Sequence, residues 1–382
     1  MENGHEVTVL TGIPNYPSGD FYDGYSFWQS NLVEDYYGVN VKRCRMYPRK
    51  NNSKINLFFN YLSFAISSSF KILSLRKYNF DLSLVFAVSP ITVALPAIFL
   101  KKIKSTPVVT WVQDLWPESV VAAGNLKNKD ILKLIDKLVM FIYNNTDKIL
   151  VSSKGMIESI TQKGIKNEKI SYLPQWAEDV FEKNIILKKD HISFPHGFKV
   201  VFAGNIGNAQ DIPAILQAIK LLKNNKDIHF IFVGSGSMHS WLSKKVKKYK
   251  LGKNVHLLGP FSIDLMPYIY SKSDALLVSL GNNPIWSITV PGKIQSYLAS
   301  GKFILTMLNG EGSKLINESK SGLTAKSGDY AQLSKNIIKC KSYSEKRRLE
   351  IGESGRKFYN QNFRKKTLMY ELETLLMKVK KS

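Results

Sequence analysis

The chain has 382 residues, long enough for two domains of ordinary size, each with its own core. A hydrophobic content of 44% with 12% aromatics excludes a disordered chain, and only two cysteines, Cys44 and Cys340, exclude a disulfide framework and suit a reducing cytoplasm. The net charge of +24 asks for an acidic partner, a membrane surface or nucleic acid.

The opening MENGHEVTVLTG reads as the last turn of a helix followed by a strand, without the basic and apolar regions of a secretory leader. In a doubly wound domain the first strand is central, so a preceding strand and helix of about 20 to 30 residues are expected to be missing. The loop TGIPNYPSGDFYDGY comes next, rich in Gly, Pro and Tyr. Between Tyr36 and Phe80 lie nine Lys or Arg and no Asp or Glu, interleaved with INLFFNYLSFAISSSFKILSL. A helix there has an apolar surface bordered by cations, which suits an anionic membrane surface docked through Lys42–Lys77; a core helix with solvated lysines is the plainer alternative. DLSLVFAVSP reads as a buried strand and PITVALPAIFLKK as its helix. From Leu82 to Leu100 nineteen residues carry no charge, close to the roughly 20 of a membrane span, but Pro90 and Pro96 favour the strand and helix.

PVVTWVQ, KILVSS and KISYLP continue as strands, with DILKLIDKLVMFIYNNT and GMIESITQKG as helices between them. The polar stretch from Ala177 to Gly197 reads as a linker. KVVFAGN, IHFIFVGSG, VHLLGP, ALLVSL and KFILTML then repeat the alternation. The pattern predicts an α/β protein of two Rossmann-like, doubly wound parallel-sheet domains facing a cleft. Their expected bounds are 1–180 and 197–360, with a basic C-terminal helix over 361–382 able to pack back on the first. Residues 335–382 hold fourteen Lys or Arg against five Glu, a composition that a solvated helix face also satisfies.

The stretch VVFAGNIGNAQDIPAILQAI, residues 200–219, joins a buried strand ending at Gly204 to a helix through a turn at Gly207 and Asn208. Such a glycine-bearing loop lets backbone N–H groups approach a phosphate. Yet the loop from Gly204 to Asp211 contains no Lys or Arg, so the charge that would neutralise the anion must come from elsewhere.

GHEVTVLTG, TWVQDLWPES, DKILVSSKGM, KISYLPQWAED, VVFAGNIGNAQDI, FIFVGSGSM, NVHLLGPFS, SDALLVSL and VPGKIQSYLASGKFIL stand in that order. The set resembles the family-4 glycosyltransferases of the GT-B fold over nearly the whole chain. QDLWPES, GNIGNAQ and PGKIQSYLASGK are most similar to the bacterial O-antigen, capsule and colanic-acid branch, which includes N-acetyl-L-fucosamine transferases. The resemblance implies a hexosyl or N-acetylhexosaminyl transferase using a nucleotide-sugar donor, UDP-linked, held mainly by the second domain. It also implies retention of anomeric configuration, no required metal or cofactor, and a lipid-linked saccharide acceptor met at the inner face of the cell membrane.

The site then follows residue by residue. Many members clamp the donor phosphates with an Arg and a Lys; aligned on Gly204, those positions are Asn205 and Gln210. Lys293 is the candidate replacement, because Pro291 and Gly292 form a turn and KIQSYLA then starts a helix at it. A cation is unfavourable at that end unless an anion binds there, although a solvated first-turn lysine fits the same pattern. Two family glutamates fall on Ile288 and Ser296, so Glu311, with Gly312 in LNGEGSKLI, is a possible substitute. The predicted donor set is Gly204, Asn205, Gly207, Gln210, Lys293, Glu311 and Gly312. No histidine lies between His5 and His191, where many members have one, which leaves Asp114 at the strand end as catalytic candidate, with Glu118 second. Asp114 could instead cap the following helix. Tyr16 and Trp116 are the aromatics expected in the acceptor loops. A sugar-nucleotide epimerase of the same fold is the alternative enzyme. A nucleic-acid binder is suggested by charge alone, without a zinc pattern or recognition helix.

Overall fold

The computed structural model describes residues 3–16, 18–28, 33–51, 53–122, 126, 128–182 and 192–381. The chain forms two compact units. One holds Met1–Val151, Ser159–Ser171 and Thr374–Ser382, the other Ser152–Glu158 and Tyr172–Glu373.

In the first unit β1 (Thr8–Gly12), β2 (Val33–Tyr36) and β3 (Val39–Cys44) form a sheet in the order β1–β3–β2. Thr8 lies opposite Asn40 in the parallel pair, and Val33 opposite Lys42 in the antiparallel one. The strand reading had omitted β2 and β3. Their turn is Tyr37–Gly38, both at positive φ (51° and 83°), the backbone a two-residue hairpin requires, and Gly38 was its only sequence mark. A second sheet runs β4 (Ser83–Ala87), β5 (Val108–Val112), β6 (Lys148–Val151) and β7 (Ile170–Tyr172), in that order. Among the described residues the outer edges of β1 and β4 are unpaired, and Val7, Val9, Leu84, Phe86 and Val88 are exposed along them.

Helices α1 (Lys54–Leu75), α2 (Leu95–Lys104), α3 (Glu118–Ala122) and α4 (Lys129–Asn145) accompany these strands, and the division between the units falls within α5 (Gly155–Gln162), after Glu158. The uncharged stretch from Leu82 is thus β4, a 3-10 turn over Ile91–Ala94 and α2. No described helix is long and apolar enough to cross a membrane.

Helix α1 starts where the Ser53 hydroxyl accepts from Asn56 N and presents three differently used sectors. Ile72 and Leu75 pack against Leu100 of α2 and Leu10 of β1. A polar sector straps the segment 45–50 alongside. Asn60 donates to the Tyr47 carbonyl (2.5 Å), Ser63 accepts from Tyr47 N (2.8 Å), and Ser67 donates to the Arg45 carbonyl. The third sector exposes Ile55, Phe58, Phe59, Leu62, Ile66, Phe70 and Leu73 at helical spacing.

In the second unit β8 (Phe198–Ala203), β9 (Ile228–Val233), β10 (Val255–Gly259), β11 (Ala275–Ser279), β12 (Ile304–Met307) and β13 (Gly322–Ala325) form one parallel sheet, ordered β10–β9–β8–β11–β12–β13. The helices are α6 (Ile212–Leu221), α7 (His239–Lys248), α8 (Met266–Ser271), α9 (Pro284–Ser287), α10 (Lys293–Ser300), α11 (Gly310–Glu318), α12 (Tyr330–Ser342), α13 (Glu345–Asn362) and α14 (Lys365–Lys381). Along β8, Phe198, Val200 and Phe202 enter one core and Val201 and Ala203 the other, so the strand is buried on both faces. The chain leaves β8 toward β9 and β10, then returns to place β11 on its other side. That reversal puts a topological switch point at the C-terminal ends of β8 and β11, where ligands bind in such sheets.

The stretch read as a linker begins inside this unit. The buried Tyr359 hydroxyl accepts from Ala177 N (3.1 Å) and donates to Glu182 (2.8 Å). Its middle, 183–191, lies outside the described residues. The end of α14 belongs to the first unit, where Lys380 pairs with Asp81 (2.9 Å).

Candidate functional site

The loop after β8 is built on glycines that admit close backbone approach. Gly204 has φ 116°, and its N–H donates to Val233 O (2.8 Å). Asn205 inserts its amide between Gly207 and Gly236, where a Cβ on either glycine would collide with it. Gln210 folds back to accept from Gly207 N (3.1 Å), and Asp211 caps α6 at Ala214 N. Across the switch point the loop is stitched to β11 by Ser279 Oγ donating to Gln210 O (2.6 Å) and Gly281 N donating to Ala209 O (2.8 Å). Gly204, Asn205, Gly207 and Gln210 are therefore one rigid loop, with Gly204 and Asn205 open to solvent.

Lys293 joins them as the first residue of α10. Its Nζ lies 4.0 Å from the Phe202 ring centroid and 3.3 Å from where a Cβ on Gly204 would stand. The stem is partly exposed, but Nζ is buried and has no hydrogen-bond partner among the described residues. Burial pushes its pKa down to about 7. An ammonium at a helix N-terminus, desolvated and without an acceptor, is unfavourable on each count. An anion over Gly204 would relieve all of them.

The other donor candidates sit farther along the same sheet edge. Glu311, in the first turn of α11 after β12, is engaged by Lys314 (2.9 Å). Gly312 packs on Leu308, Ile294 and Pro291, which lets α11 close on the start of α10. Ile288 and Ser296 supply no carboxylate: the Ile288 carbonyl accepts from Ser153 Oγ, and Ser296 donates to Lys293 O (3.1 Å). Phe202 and Ser279 were missed by the sequence reading, because apolar and small residues in a buried strand carry no mark of what reaches them.

In the first unit the loops after β4 and β5 meet. Ser89 Oγ donates to Asp114 Oδ2 (2.9 Å) and accepts from Trp116 Nε1 (3.0 Å). Asp114 is half-buried and fixed by this contact. Glu118 is instead paired with Lys163 (2.8 Å), which also holds Asp136 (2.7 Å). Trp116 meets Tyr61 of α1 edge-on at 6.4 Å, and the Arg49 guanidinium lies over Tyr61 (5.8 Å) and Tyr16 (5.4 Å). Tyr16 and Trp116 thus belong to one cluster, in which Arg49, Tyr61 and Ser89 were not foreseen. Both cysteines are buried, which pushes their thiols up to about 12.

Two family models cover most of the chain: residues 1–176 match a glycosyl transferase 4-like domain, and residues 185–358 match glycosyl transferases group 1. The "Putative colanic acid biosynthesis glycosyl transferase WcaI" of Escherichia coli K12 is 26% identical over 308 residues, 78% of this chain and 74% of that protein. The "Probable glycosyltransferase WbjE" of Pseudomonas aeruginosa is 30% identical over 60% of this chain, and the match spans 58% of WbjE, less than two thirds of its length. Among solved structures, Anabaena Alr3699/HepE in complex with UDP and glucose superposes with a TM-score of 0.67 at 13% identity, covering 89% of this chain and 86% of that one. Sucrose-phosphate synthase from Thermosynechococcus elongatus gives 0.70 at 14%, covering 99% and 90%. These likenesses show the fold.

Proposed function

We propose, from the premise that the chain belongs to the glycosyltransferases of the GT-B fold, that it moves a sugar from a UDP-linked donor to a lipid-linked saccharide in surface-polysaccharide synthesis. The proposed sugar is N-acetyl-L-fucosamine or a related amino sugar, and the colanic-acid assignment of the E. coli relative supports the polysaccharide context. UDP in the Anabaena structure supports the choice of base.

The observation that carries the reading is the buried Lys293 Nζ above Gly204, without a hydrogen-bond partner among the described residues. Breaking the bond from the sugar to the nucleoside diphosphate leaves negative charge on a phosphate oxygen, and fixed donors at that point lower the barrier. Lys293 Nζ is the donor in this reading, since the N–H groups of Gly204, Ile206 and Gly207 are already used within the second unit. The acceptor hydroxyl bonds to the anomeric carbon on the face the diphosphate leaves, and its proton passes to the departing phosphate oxygen, so configuration is retained without a protein nucleophile. Asp114, held by Ser89, orients a substrate hydroxyl, whereas the pairing of Glu118 with Lys163 gives it a structural part. The exposed apolar sector of α1, bordered by Arg45, Lys50, Arg76 and Lys77, supports docking on the anionic inner face of the membrane.

Assaying the purified chain against a panel of nucleotide sugars, UDP-N-acetyl-L-fucosamine included, tests the reading. Conversion of a donor without acceptor would indicate an epimerase instead. With the active donor, Lys293→Ala lowers kcat/KM at least tenfold, about 1.4 kcal/mol. An unchanged kcat/KM contradicts the phosphate role.

A further inference from the structure

The first unit carries a cation that donor chemistry leaves unexplained. Arg49 stands in a stretch devoid of Asp and Glu and makes no ion pair among the described residues. It is half-buried, with its guanidinium over the rings of Tyr16 and Tyr61. Ring contact positions the guanidinium while leaving its N–H donors free for another group.

Its backbone is held from both sides. Toward α1, the strap fixes Tyr47 through Asn60 and Ser63. Toward the first loop, Lys50 N donates to Gly19 O (2.7 Å), and Gly19, at φ 94°, lies so close to the Lys50 carbonyl that no side chain fits there. From Arg49 the contacts run without a gap through Tyr61, Trp116 and Ser89 to Asp114, at the C-terminal ends of β4 and β5. On its other flank begins the exposed apolar sector of α1, with Phe59 against Tyr47 (5.9 Å) and Lys50 over the same ring (5.2 Å). Arg49 therefore lies between an apolar face and the carboxylate of Asp114.

We propose that Arg49, flanked by Arg45 and Lys50, binds the diphosphate that joins lipid to sugar in the acceptor. The lipid lies on the α1 sector and the sugar points toward Asp114. This inference rests on the glycosyltransferase reading and names the acceptor group that this site reads. A planar guanidinium matches two phosphate oxygens at once, a geometry that an ammonium cannot reproduce. Bulk lipid headgroups meet the exposed Arg76 and Lys77 at the far end of α1, whereas Arg49 is half-buried, with its guanidinium over two rings beside a sheet edge where ligands bind.

The test uses the full chain, with farnesyl diphosphate and farnesol as probes followed by calorimetry, and sedimentation with phosphatidylglycerol vesicles. The wild type binds farnesyl diphosphate more tightly than farnesol. Arg49→Ala weakens the diphosphate at least tenfold and leaves farnesol and vesicle binding unchanged, while Arg49→Lys recovers only part of the loss. UDP binding in the second unit is retained and reports that the variant is folded. Equal binding of farnesyl diphosphate by wild type and Arg49→Ala, or no preference of the wild type over farnesol, overturns the inference while UDP binding leaves the donor reading intact. Parallel loss of vesicle and diphosphate binding also overturns it, since Arg49 would then read headgroups. Failure of the wild type to bind UDP removes the glycosyltransferase reading and this inference with it.

Discussion

Lys293 holds three unfavourable features at once: a helix N-terminus, a desolvated Nζ and no acceptor among the described residues. The Phe202 face offsets only part of this, since a desolvated cation–π contact is worth about 2 kcal/mol. The position was legible because Pro291 and Gly292 announce the helix start. The ring beneath it was not, because Phe202 lies about ninety residues earlier in an apolar strand that has the same pattern whatever packs on it. Asp114 was legible for a similar reason, as a carboxylate at a strand end before a proline, but Ser89 was not. On this geometry Asp114→Asn lowers kcat about a hundredfold with little change in donor KM. Glu118→Gln leaves turnover intact and costs stability through Lys163 instead. Normal turnover of Asp114→Asn in steady-state assays would remove it from the reaction.

The helix α1 shows how far an element can be read from its pattern. Its apolar and basic composition was plain, and so was the choice between core and membrane surface. The structure packs some of its apolar residues into the core and leaves others exposed, and the polar residues Asn60, Ser63 and Ser67 turn out to hold a neighbouring segment instead of facing water. Periodicity alone cannot distinguish those sectors, because each depends on what lies beside the helix. Phe58→Asp with Phe70→Asp is expected to abolish sedimentation with anionic vesicles while changing unfolding free energy by no more than about 0.5 kcal/mol per site, as both side chains are exposed. Retained vesicle binding would exclude this sector as the docking face. The short strands β2, β3 and β13 escaped notice for a different reason. Each is four to six residues long, and β13 (GLTA) lacks a run of β-branched residues.

At the scale of the whole molecule, strand–helix alternation carried the fold, because a parallel sheet covered on both faces is what such an alternation can bury. The strand order, which alternation does not encode, is what places the glycine loop after β8 at the switch point between β8 and β11. Alternation could not reveal that, among the described residues, the first unit's strands form two sheets whose outer edges at β1 and β4 are unpaired, since pairing partners leave no local signal. The central claim is that a donor diphosphate completes Lys293, and protonation reports on it directly. With its pKa pushed down to about 7, the free side chain is largely neutral near pH 8, and a bound diphosphate raises that pKa again. Because the folded value lies below the unfolded one, burial of Lys293 contributes stability at high pH that is lost as pH falls through about 7. Calorimetric titration of UDP near pH 8, in two buffers of different ionisation enthalpy, should show uptake of about one proton by the wild type and little by Lys293→Met. Binding without proton uptake, or equal uptake by Lys293→Met, would contradict the account.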